Sequence, residues 1–258
     1  MIASPPPDHH ARSTGRQLVS PRALLVCIVA LLAAATGILW IGARTDLDLR
    51  LADLTFDAKL RVFPWRHSWL AESFGHGILK IALTILGVAV VVVGVGAPFL
   101  RRKVITNWWQ MRLRFLAACA VLIPLLTSLL KQSSKSHCPW DLTRYGGTET
   151  YFRLLETVPD WVSRGKCLPA GHASTGLWLL GIVVFCLPHR PRVALLLGAA
   201  ALALGGALGW LQQLRGAHFL THTLWSLWIA AAVTVLLLWV VGLPRFQRNE
   251  CALANATN

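Results

Sequence analysis

Hydrophobic positions in this chain fall in long charge-free runs, not at the spacing of amphipathic strands or surface helices. Residues 23–43, 81–100, 115–130, 173–188, 193–211 and 223–242 each lack Asp, Glu, Lys and Arg. A helix needs about 20 apolar residues to cross the hydrocarbon layer. Continuous runs of this length read as helices, not strands. The pattern predicts an all-α membrane protein with six transmembrane helices. Run 115–130 is short and contains Pro124, so it spans only if Arg112, Arg114 and Lys131 snorkel at its ends. Run 173–188 is of similar length, and run 193–211 is rich in Gly and Ala, which suits close helix packing.

The polar intervals set the organisation. Residues 1–22 carry Pro5–Pro7 and two His and read as a disordered cytoplasmic segment; 23–242 form the membrane domain; 243–258 form a cytoplasmic tail. Run 23–43 is too long for a signal-peptide core and reads as an uncleaved anchor. An even number of spans puts both termini on one side. Arg12, Arg16, Arg22, then Arg101, Arg102, Lys103, Arg112, Arg114, then Arg190, Arg192, then Arg245, Arg248 gather on that side, which the positive-inside rule makes cytoplasmic. Two large loops, 44–80 and 131–172, and a short stretch, 212–222, then face outward. Within the first loop, Asp48, Leu51, Leu54, Thr55 and Ala58 follow a helical spacing and predict an amphipathic helix on the membrane surface. Trp40, Trp210 and Trp239 near span ends read as an aromatic belt.

Composition narrows the classes further. The 258 residues are 55% hydrophobic and 14% charged, against about 25% charged in soluble domains. Disorder over most of the chain is excluded, and 20 Gly and 6 Cys exclude collagen-like and disulfide-dense classes. A net charge of +14 would suggest nucleic acid in a soluble protein. No nucleic-acid module accompanies it, so the basic loops read as facing anionic lipid.

Three outward segments place a cation or an imidazole at a span boundary. They are Lys131-Gln-Ser-Ser-Lys135-Ser-His137-Cys138-Pro139, then Pro169-Ala170-Gly171-His172, then Arg215-Gly-Ala-His218-Phe-Leu-Thr-His222. Taken singly, Lys131 snorkels, His172 caps a helix and Arg215 anchors an interface. Together they lie on one membrane face beside span ends, where helices can gather them into one pocket. Lys131 and Arg215 supply fixed positive charge for phosphate oxygens, and Arg adds a planar fork. The helix opening at Gly171 offers free backbone N–H groups. His172 and His222 suit nucleophile and acid roles near neutral pH. These segments hold no carboxylate cluster and no metal-ligand spacing. The residues describe phosphoryl transfer without metal or other cofactor.

These segments resemble the three signatures of the type 2 phosphatidic acid phosphatase superfamily, which read K-x6-R-P, P-S-G-H and S-R-x5-H-x3-D. The resemblance covers roughly residues 80–242 and implies a six-span helical bundle with its site on the non-cytoplasmic side. It implies that His222 attacks phosphorus, that His172 protonates the leaving oxygen and then activates water, and that Lys131 and Arg215 hold the oxygens. The departures are specific. Cys138 stands at the first motif's Arg, so Lys135 and Arg144 become candidate replacements. Ala170 stands at the middle Ser. Leu214 stands before Arg215, and six residues rather than five separate Arg215 from His222. Ser226 stands at the final Asp and brings no counter-charge to the imidazole. His218, one turn before His222, is the alternative nucleophile.

Cys138 and Cys167 share the outer loop, where an oxidising compartment permits a disulfide. Cys27, Cys119 and Cys186 lie in spans and read as small core residues. Cys251, in the tail, reads as reduced. The leading reading is a lipid phosphatase of a bacterial inner membrane, acting on a lipid monophosphate or diphosphate in the outer leaflet. Phosphatidic acid, undecaprenyl diphosphate, phosphatidylglycerol phosphate and lipid A phosphate all fit. A lipid phosphotransferase and a non-catalytic phospholipid-binding protein are the alternatives, and transport is disfavoured because the polar chemistry sits at span ends. The bilayer and the lipid phosphate are the partners named by this reading; nucleic acid is not, and the oligomeric state stays open.

Overall fold

The computed structural model describes residues 18–96 and 107–242. Helix α1 is Pro21–Arg44 and α2 is Leu47–Thr55. A π-helical turn at Trp69–Ile78 runs directly into α3, Leu79–Gly96. Then come α4, Asn107–Ser133, and α5, Gly171–Leu177, continued as a 3-10 helix over Trp178–Phe185. Helices α6, Pro191–Leu214, and α7, Leu220–Val241, complete the bundle. No β-strand occurs among the described residues.

Among the described residues, five helices are long and apolar enough to cross a membrane: α1, the continuous Trp69–Gly96 helix, α4, α6 and α7. The fourth predicted span is a shorter apolar helix, Gly171–Phe185. The difference has a packing cause. Leu177, Trp178, Leu180, Gly181, Val183 and Val184 are buried against other helices, and a helix enclosed by protein need not match the lipid thickness. The second run also differs. Lys80 reads as a boundary in the sequence, yet the helix begins earlier, at Trp69. Residues 97–106 of the second run and its following loop, including Arg101, Arg102 and Lys103, lie outside the described residues, as do 1–17 and 243–258. Leu18 belongs to the fold rather than to a tail, being buried in the main core.

Local signals account for the helix starts. Ser20 caps α1 by accepting a hydrogen bond from Ala23 N at 3.2 Å, with Pro21 in the first turn. Pro191 likewise stands in the first turn of α6, where no side chain caps the helix. Lipid supplies no hydrophobic drive between spans, so close packing and interhelical hydrogen bonds hold them. A Cβ on Gly209 would lie 2.1 Å from Thr223 Cγ2, and one on Gly205 2.3 Å from Leu177 Cδ2. The backbone of α6 therefore touches α7 and α5 through missing side chains. Gln213 Nε2 donates to Thr223 Oγ1 at 3.1 Å, and Trp228 Nε1 donates to Leu31 O at 2.8 Å, tying α7 to α6 and α1. Arg112 is buried rather than snorkelling. It stacks 3.7 Å from the Trp108 ring and donates to Leu187 O at 2.7 Å.

A second, smaller core caps one end of the bundle. Ala52, Phe63, Leu142, Tyr145 and Phe219 are buried together there. Phe56, Phe63 and Tyr145 form an aromatic triad with centroids 5.1–5.4 Å apart. Helix α2 is thus a structural element of the cap, with its inward face on protein. The same end of the bundle receives the end of α4, the start of α5, the end of α6 and the start of α7.

Candidate active site

The chain before α5 is pinned to α7. Ala170 N donates to His222 O at 3.0 Å, and Ser226 Oγ donates to Ala170 O at 2.9 Å and to His222 O at 3.1 Å. The hydroxyl at the predicted Asp position therefore orients backbone, not the imidazole. These bonds set His172, in the first turn of α5, beside the histidines of α7 and its approach. The His172 and His218 ring centroids lie 6.2 Å apart, and those of His218 and His222 5.7 Å apart. His218 and His222 are 3% and 2% exposed.

Lys131 joins this cluster from the last turn of α4. A Cβ on Gly171 would lie 3.8 Å from both Cδ and Nζ of Lys131, so the ammonium rests over the bare backbone at the start of α5. Its charge acts on both His218 and His222. Burial, then the charges of His222, Lys131 and His172, push His218 well below the ordinary imidazole value. His218 is therefore neutral at pH 7. Unfolded, it would bind a proton near pH 6.5; folded, it does so only far below. Its contribution is complete above about pH 6.5 and is lost as pH falls toward the folded value, by up to about 1.4 kcal/mol per pH unit. The thermal midpoint of detergent-solubilised protein should drop between pH 7.5 and 5.5, less steeply for His218→Gln. Identical slopes in the two proteins would contradict this.

Cys138 and Cys167 are joined in a disulfide, with Cα atoms 5.4 Å apart. The bridge connects the loop after α4 to the segment before α5. Cys167 Sγ lies 3.3 Å from His218 Nδ1. Donor atoms of Cys138, Cys167 and His218 fall within 4.8 Å of one another, but both sulfurs are engaged in the bridge, so the trio does not suit a metal. Ser136, which the sequence reading passed over, places its Oγ 3.4 Å from His222 Nε2.

Three predicted phosphate ligands are held elsewhere. Helix α4 ends at Ser133, so Lys135 does not continue the face of Lys131; its Nζ donates to Val158 O and Asp160 Oδ1, both at 3.2 Å. Arg144 grips Asp53 with Nε at 2.9 Å and a terminal nitrogen at 2.7 Å. It clamps α2 to the outer loop. Arg215 is 6% exposed. It donates to Arg66 O at 3.0 Å and Gln212 Oε1 at 3.1 Å, and faces Glu72 at 3.5 Å. None of these contacts is with an imidazole.

Two hollows flank the site. One, of about 160 Å³, is lined by Lys135, Ser136, His137, Tyr151 and Arg153 among others. The second, of about 360 Å³, lies between α1, α4 and α7 and is lined by Leu39, Leu130, Trp225, Trp228 and Ile229 among others. They share Ser134, Leu154, Leu155 and Leu168, so a polar hollow adjoins an apolar one.

No curated protein and no solved structure matches the chain. The family model of the PAP2 superfamily matches residues 112–245, slightly more than half of the chain. That stretch holds Lys131, Gly171, His172, Arg215, His218 and His222. Members of this superfamily are generally phosphatases. With its apolar helices and its clustered lysine and histidines, the chain belongs to the PAP2 superfamily.

Proposed function

We propose that the protein is a membrane lipid phosphatase that cleaves a phosphate monoester or diphosphate through a phosphohistidine. The observation that carries this reading is the cluster of half-buried His172 with buried His218 and His222, and the Lys131 ammonium over Gly171. Lys131 attracts the phosphoryl oxygens and neutralises charge as it develops. His222 Nε2 attacks phosphorus while the bond to the leaving oxygen breaks. His172 donates its proton to that oxygen. His172 then takes a proton from water, the water oxygen attacks phosphorus, and the N–P bond breaks to release phosphate. Arg215, released from Glu72, would add a second cation.

The adjoining hollows suit an amphiphile, with its polar end near Ser136 and a chain against Leu39 and Trp228. We place the site at the periplasmic face of a bacterial inner membrane, with both termini cytoplasmic. Arg22, Arg190 and Arg192, at the bundle end opposite the site, support that orientation. A second reading, His218 as nucleophile, is favoured by its proximity to both other rings.

The test is phosphate release by purified protein in detergent with EDTA, from phosphatidic acid and undecaprenyl diphosphate, with and without a lipid acceptor. EDTA-resistant release is the expected result. Phosphoryl transfer only to the acceptor would make the protein a transferase. Binding without either reaction would make it a lipid-binding protein.

A further inference from the structure

Helix α7 carries His222 in its first turn, yet it has no cap of its own. Phe219, at the capping position, makes no side-chain hydrogen bond. The carboxylate comes from α2, far away in sequence. Asp48 Oδ1 accepts from Thr221 N at 3.0 Å, and Thr221 Oγ1 donates to Asp48 Oδ2. Asp48 is 3% exposed, and burial raises its carboxyl above the usual range against the opposing pull of these bonds. A buried carboxylate is costly unless its partners are well placed. Here they include the amide immediately before His222, at the positive end of a helix.

The rest of α2 holds Asp48 in that position. Asp46 pairs with Arg153, and Asp53 with Arg144 and the Tyr145 hydroxyl. Asp46 at the start of α2 and Asp53 near its end are thus tied to the outer loop, while Asp48 in its first turn reaches α7. No carboxylate among the described residues orients the His222 ring: its side-chain contacts include Ser136 Oγ, 3.4 Å from Nε2, and the edge-on Phe219 ring at 5.4 Å, with His218 at 5.7 Å. Among the described residues Nδ1 has no hydrogen-bond partner, and Ser226 is engaged with backbone carbonyls. The stance of the ring therefore depends on its backbone as well as on these contacts. That backbone is held on one side by Ala170 N on His222 O and on the other by Asp48 on Thr221.

We propose that Asp48 is a positioning residue for the site: reaching from α2, it caps α7 through Thr221 and fixes where His222 points. The proposal rests on His222 being a reactive group. It accounts for how the site keeps an ordered imidazole without a carboxylate at position 226. Misplacing a reacting group by about 1 Å costs on the order of 10²-fold in rate.

The experiment uses the full chain in detergent, labelled with ¹⁵N-histidine, as the unaltered protein, Asp48→Asn and Thr221→Val. His222→Gln assigns the His222 ring signals. Asp48→Asn keeps the size and removes the charge; Thr221→Val keeps the shape and removes one hydrogen bond. The expected result is that Asp48→Asn shifts or broadens the His222 ring signals and leaves those of His189 in place. Its kcat falls on the order of 10²-fold with KM unchanged. Thr221→Val changes both in the same direction and less. If Asp48→Asn does not fold, Thr221→Val decides. Unchanged His222 ring signals in the folded variant would overturn the proposal. The ring signals are read without substrate, so a protein that releases no phosphate would count against the phosphatase reading alone.

Discussion

Replacing His222 by Gln is expected to remove phosphate release, by a factor on the order of 10³ or more. Gln fills the same space but offers no nucleophilic nitrogen. His222 is 2% exposed and lies beside Lys131 and His218, so water does not easily replace the missing nucleophile. The neighbouring His218 is a poor substitute in place, because its Nδ1 rests 3.3 Å from Cys167 Sγ within the disulfide-braced segment. His218→Gln, by contrast, should retain a phosphoryl-enzyme and lose rate through altered packing. Stopped-flow or discontinuous phosphate release on the two variants separates them. Full loss in His218→Gln with substantial release in His222→Gln would exchange the two roles.

Replacing His172 by Gln is expected to have the second largest effect, about 10²- to 10⁴-fold on a lipid alcohol leaving group. The residue stands in the first turn of α5, across from His218 at 6.2 Å. The acid role proposed for it depends on how badly the leaving oxygen needs a proton. An aryl phosphate with an acidic phenol needs none, so its first step should fall far less. Its second step still lacks the base that activates water, and the phosphoryl-enzyme should accumulate. Equal losses for aryl and lipid phosphates, with no accumulation, would remove His172 from the acid role.

Much of the bundle is legible in the sequence because lipid imposes a simple rule. The cores of α1, α6 and α7 coincide with charge-free runs. The rule fails where protein replaces lipid. The run at 173–188 is apolar, but the helix there ends at Phe185 among buried neighbours. It also fails at the cap, where Glu72 and Lys80 sit on a helix that continues beyond the apolar run.

The candidate site divides in the same way. Lys131, Gly171, His172 and the two later histidines were recognisable because each sits at a span end in a short motif. Lys135 and Arg144 have the right charge, but their carboxylate partners, Asp160 and Asp53, are set by loop geometry. Asp48 and Ser136 were not recognisable, since nothing local marks a residue whose partner is another helix's first turn or a distant imidazole. Long-range pairs of this kind are legible only once the chain is folded.

The most direct measurement is to trap the intermediate. Protein in detergent is mixed with a ³²P-labelled lipid phosphate in EDTA and quenched in alkali within milliseconds. The account predicts label on the protein that survives alkali, is lost in acid, maps to the peptide containing His222, and is absent from His222→Gln. Phosphate release without any protein-bound label, undiminished in His222→Gln, would contradict it.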